Sequence, residues 1–112
     1  MALIPGFIPY WNRNRLLSLV DRVTARVQSS VWRRVKERVS VMGVHEARGY
    51  IRARSARVID RELALVMVDE PTLRPGQREL IARSVRHRVV RRLMLENLRR
   101  QDAGQPRRRM AA

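Results

Sequence analysis

Apolar residues recur along the first half of the chain at Leu16, Val20, Val23, Val27, Val31, Val35, Val39 and Met42, in steps of three and four. That spacing lines one face of an α-helix. The mean step, about 3.7, lies near the eleven-residue repeat that keeps a helix contact straight or slightly right-handed. Valine is a poor intrinsic helix former, so a helix this rich in it depends on burying its stripe against a partner surface.

Gly43 interrupts the pattern. Beyond it Val44, Ile51, Val58 and Leu65 fall seven apart and predict a second helix over about residues 46–68, weakened in its first turns by Gly49. A hairpin turn at Gly43 is expected, in preference to one long helix of some fifty residues. "VDEPTLRPGQ" then stops the chain, because Pro71 and Pro75 remove backbone donors. A third helix follows over about residues 77–100. Ile81, Val85, Val89 and Leu93 line one of its faces, while Leu80, Val90, Met94 and Leu98 lie on another. A helix apolar on two sides is usually sandwiched. The hairpin can cover one side, and the other needs the N-terminal leader, a second copy or a foreign protein.

The expected fold is therefore all-α: a helical hairpin plus a third helix over residues 13–100, in one small domain. An extended apolar N-terminal arm precedes it at 1–12, and a basic flexible tail follows at 101–112. Pro5 and Pro9 are expected to keep the leader "MALIPGFIPYW" extended; it carries no charge and holds three of the five aromatic residues. Leu3, Ile4, Phe7, Ile8, Tyr10 and Trp11 would each release about 1.5–3 kcal/mol on full burial. With Leu80, Val90, Met94 and Leu98 they are the candidate partner-docking residues.

Charge changes the picture most. Lys and Arg number 25 against 10 Asp and Glu, a net +15, and only Lys36 among the cations is Lys. Such a chain repels itself unless an anionic partner is near, and guanidinium groups suit phosphate and carboxylate forks. The surplus is uneven: +6 over residues 13–42, zero over 43–70, +7 over 71–100 and +2 in the tail. On a helical wheel Arg15, Arg22, Arg26, Arg33 and Lys36 share a sector with Ser18, Ser29 and Ser40, roughly opposite the valines, and no acid of that helix joins them. The stripe runs about 30 Å, enough to follow several phosphates. A solvated face would ordinarily intersperse Glu for pairing at (i, i+4). Arg83, Arg86 and Arg91 of the third helix and Arg107, Arg108 and Arg109 of the tail complete the candidate nucleic-acid-binding set. Other arginines of the third helix are expected to pair with Asp60, Glu62, Asp69 or Glu70.

Catalytic and metal-binding patterns are missing. Cysteine is absent, His45 and His87 share no ligand spacing, and no phosphate-cradling glycine loop occurs. Asp69 and Glu70 sit beside Pro71, where capping and Arg pairing explain them. No catalytic, cofactor or metal site is expected. Zinc fingers, zippers and stacking aromatics are missing too, so nucleic acid would be read by backbone and shape. The uncharged runs after the leader, such as Leu63 to Val68, are far short of the ~20 residues of a membrane-spanning helix.

These features point to a small non-catalytic basic subunit that binds nucleic-acid backbone, RNA slightly before DNA, within a larger assembly. The alternatives are an adaptor of a protein complex, docking by its arm and helix faces or as a homo-oligomer with Arg paired to acidic partners, and third a peripheral membrane-surface protein. The expected compartment is the cytoplasm, or the mitochondrial matrix, since residues 1–36 are amphipathic, rich in Arg and Ser and hold one acid, Asp21.

Overall fold

The computed structural model describes the backbone of residues 7–103 and the side chains of residues 13–103. It is all-α, with three helices, α1 (Phe7–Val39), α2 (Val44–Asp69) and α3 (Pro75–Ala103), each packed against the other two. Their cross-links give the topology. Arg15 and Arg26 of α1 meet Glu70, the C-cap of α2, and Glu62 within it, so early residues face late ones and the pair is antiparallel. Asp21 and Glu37 meet Arg88 and Arg100 of α3, so α3 runs parallel to α1. The chain goes up, down and up again.

The hairpin forms where Gly43 predicted it. The amides of Val41 and Met42 bond back to the carbonyls of Arg38 and Val39 at 3.3 and 3.2 Å, a tightened last turn that ends α1. Gly43 follows in an extended conformation (φ −68°, ψ 167°) as the N-cap of α2, and its carbonyl takes the Ala47 amide at 2.9 Å. The third helix begins two residues before the expected Gln77. Pro75 occupies its first position, where a missing N–H costs nothing. Gln77 supplies one half of a capping box, its Oε1 accepting the Arg74 amide at 3.0 Å.

Two expectations need correcting. The leader is not extended throughout, because α1 starts at Phe7 and takes in the backbone of Phe7, Ile8, Tyr10 and Trp11. Pro9 falls in the first turn, among amides that have no intrahelical acceptor, so it does not obstruct the helix. Leu3 and Ile4, and Arg107, Arg108 and Arg109 of the tail, lie outside the described residues. The second correction concerns α2, whose seven-residue row is buried only at its centre, at Ile51 and Val58. Val44 and Leu65 are 60% and 53% exposed, and the core row is Ala47, Ile51, Ser55, Ile59 and Leu63, with Val58 beside it. Ala47 and Ser55 are too small or too polar to register as hydrophobic, yet their small volume lets the helices approach. Ser55 satisfies its buried hydroxyl on the Ile51 carbonyl at 2.6 Å.

The expected rows of α1 and α3 are the core. Val20, Val23, Val27, Val31, Val35 and Val39 are buried, as are Ile81, Val85, Val89 and Leu93. Buried positions of α2 and α3 advance in steps of four, longer than the 3.6 of a straight helix, which winds the seams in the right-handed sense. The α3 row continues one further step to a polar residue, Asn97, 6% exposed. Its Nδ2 donates to the Val39 carbonyl at 3.3 Å, and its buried Oδ1 has no partner among the described residues.

Candidate functional site

Ion pairing sorts the arginines into two groups. Arg15 and Arg26, expected on the phosphate stripe, are engaged instead with carboxylates from α2, Glu70 and Glu62, the second pair at 2.8 Å. The α1 sector is free of its own acids, but the bundle brings α2 acids against it. These two acids were expected to serve α3, and the antiparallel hairpin places them beside α1. On the other flank, Arg88 binds Asp21, Arg100 reaches Glu37 at 3.2 Å and Arg92 reaches Gln28 at 3.4 Å. Arg99 pairs within α3, with Glu96 at 3.5 Å.

The remaining stripe residues are differently placed. Arg22 and Arg33 are exposed on α1 with no ion pair among the described residues, and Lys36 is half-buried. Arg22 shares a shallow hollow with Arg15 and Glu70, where the Glu70 carboxylate is engaged by Arg15. Arg83, Arg86 and Arg91 are exposed on α3, and no described carboxylate pairs with them. Of these, only Arg91 lines a sizeable cavity.

That cavity is a groove of about 610 Å³ between the start of α2 and the second half of α3. Its apolar surface comes from Met42, Val44, Val90, Met94, Leu95 and Leu98, and small Ala47 leaves room at its base. Val90, Met94 and Leu98 are the second apolar face expected on α3. Leu80 does not join them and stands 56% exposed elsewhere. Arg48 and Arg52 rise from the α2 side and Arg91 and His87 from the α3 side, with no Asp or Glu in the lining. None of the three arginines has an ion pair or hydrogen-bond partner among the described residues. Asn97 and Gln101 complete one end.

Arg48, Arg52, Leu95 and Asn97 were not singled out by the sequence, although a signal was present. His87, Val90, Arg91, Met94, Leu95, Leu98 and Gln101 repeat at helical spacing, one mixed face flanking the core row of α3. Arg54, further along α2, stacks 5.3 Å from the Tyr50 ring centroid, a cation–π contact. His45 is exposed in the first turn of α2. Among the described residues no three His, Cys, Asp or Glu converge on a metal-sized site, and no helix is long and apolar enough to cross a membrane. No protein-family model, curated protein or solved structure matches the chain.

Proposed function

We propose that this chain is a small non-catalytic helical subunit that binds the backbone of nucleic acid, structured RNA before DNA, within a larger assembly. One observation carries this reading: four carboxylates, Asp21, Glu37, Glu62 and Glu70, are engaged in inter-helix pairs, and exposed Arg22, Arg33, Arg83, Arg86 and Arg91 are left without a described acid. Guanidinium forks on rigid helices hold phosphates in register without reading bases, and a helical surface with no base-reading module suits the shape of folded RNA. The pairs of Arg15 and Arg26 move the contact from the whole α1 stripe to its unpaired members.

The test is fluorescence anisotropy of the full chain with an RNA duplex and a DNA duplex of one sequence, between 50 and 200 mM salt. Neutralising about five phosphates predicts a log–log slope near −4 to −5 on DNA. Arg22→Glu with Arg33→Glu should weaken binding and flatten the slope while helicity is retained. Affinity unchanged by both substitutions, or no binding at 50 mM salt, would remove this reading.

A protein-adaptor role draws on a separate observation, the open groove. Docking through the leader and attachment to a membrane surface both rest on side chains outside the described residues.

A further inference from the structure

The groove between α2 and α3 is apolar along its floor and cationic along both banks. From that arrangement we infer that it is a docking site for an amphipathic helix of a partner protein, one whose apolar stripe is bordered on both sides by carboxylates. This inference shares Arg91 with the proposed nucleic-acid surface and otherwise rests on different residues.

Length comes first. The α3 bank runs from His87 to Gln101, which at 1.5 Å per residue is about 20 Å, or four helical turns. A groove between two antiparallel helices takes a third helix by seating its apolar ridge, anchored at i, i+3, i+4 and i+7. Half-exposed Leu95 and Leu98 and largely exposed Val44 are left for such a ridge to cover.

Charge comes second. Arg48 and Arg52 stand on one bank and Arg91 on the other, without described partners. An anionic amphiphile with one headgroup would answer the charge at one end only. Carboxylates along both edges of a helix answer it on both banks, as charge-assisted hydrogen bonds to guanidinium. Third, the Asn97 Oδ1 is a buried acceptor without a partner on a residue that lines the groove, so a donor from an incoming chain would satisfy it.

The chain's own segments 104–112 and 1–6, outside the described residues, make poor occupants by charge and by length. Residues 104–112 follow α3 at this end but bring Arg107, Arg108 and Arg109, of the same sign as the banks. Residues 1–6 precede α1 at the opposite end of the bundle. Helix α1 is 33 residues, about 50 Å, and six extended residues reach only about 20 Å. A second copy would set two chains of net +15 against each other.

The probe is a labelled 16-residue peptide with a leucine stripe and Glu on both edges, added to the full chain at physiological salt. It is compared with a Lys-edged version and with a Glu-edged version whose leucines are scrambled. The expected result is one-to-one binding at least ten-fold tighter than either control, with NMR shift changes at Val44, Met94, Leu98 and the Asn97 side-chain amide. Arg48→Glu with Arg91→Glu should reverse the preference between Glu and Lys edges, and Leu98→Glu, at a half-exposed site, should abolish binding with the fold intact.

Equal affinity for the scrambled peptide would reduce the effect to polyanion attraction and overturn the proposal. So would shift changes lying elsewhere, or light scattering that shows a dimer closed over this groove. Arg22→Glu with Arg33→Glu separates the two sites: it should lower RNA affinity and leave peptide affinity unchanged.

Discussion

Along α1, arginine meets carboxylate: Arg15 with Glu70, Arg26 with Glu62, Asp21 with Arg88, Glu37 with Arg100. Between α2 and α3 no ion pair is found among the described residues, and Arg48, Arg52 and Arg91 stand around an open apolar groove. The three helices use the same alphabet of Arg, Val and Leu, so residue type does not separate the two regions. Partner geometry does. An arginine facing an acid across a seam helps to close it, whereas arginines with no acid opposite them border apolar surface that is left for something else to cover.

The largest effect should come from two leucines five residues apart on α3. Leu93 is 1% exposed in the core and Leu98 is 55% exposed in the groove. Leu93→Ala should cost about 2–5 kcal/mol in urea unfolding. Leu98→Ala should stay within about 0.5 kcal/mol. Comparable losses would mean that the groove is part of the core, and the contrast would collapse.

Asn97→Leu sharpens it next. The Val39 carbonyl keeps the Met42 amide at 3.2 Å, and the substitution removes a buried acceptor that has no partner. Stability should be unchanged or rise by up to about 1 kcal/mol, read from the urea midpoint. A loss of 2 kcal/mol or more would assign Asn97 to holding the end of α1 and take it away from the groove.

Gly49, exposed on the α2 bank, has open space where a Cβ would go and no positive φ. Gly49→Ala should stabilise the bundle by about 0.4–1 kcal/mol in thermal unfolding, by narrowing the unfolded ensemble. The smallest effects are electrostatic. Glu62→Gln should cost about 0.2–1 kcal/mol, fading as salt is raised, because Arg26 is 63% exposed. Arg48→Gln and Arg52→Gln remove charges with no described partner, so denaturation at low salt should show no loss. A loss there equal to that at Glu62 would mean that the groove arginines are structural.

Much of the fold was legible in the residues. The rows of α1 and α3, the stop at Pro71–Pro75 and the turn at Gly43 follow from spacing and from the backbone limits of Pro and Gly. What misled was the meaning of a row. In α2 the large residues Val44 and Leu65 suggested a seven-residue face, while the helix packs through Ala47 and Ser55, whose small size is what allows close contact. Pro9 read as extended because its place in a first helical turn depends on where the helix starts, which a proline alone does not reveal.

The candidate sites were legible only in part. Sequence marked Val90, Met94 and Leu98 as a second apolar face and Arg91 as a candidate, but not the α2 bank that makes them a groove. By itself the chain determined an all-α bundle, a cationic surface and an excess of apolar faces, because periodicity and net charge are sums over local residues. Which arginines are neutralised was decided by the tertiary structure alone, since it depends on whether a carboxylate dozens of residues away, such as Glu62 or Glu70, is carried to within a few ångströms. Coulomb interaction is governed by that distance and by exposure, and neither is written in sequence order.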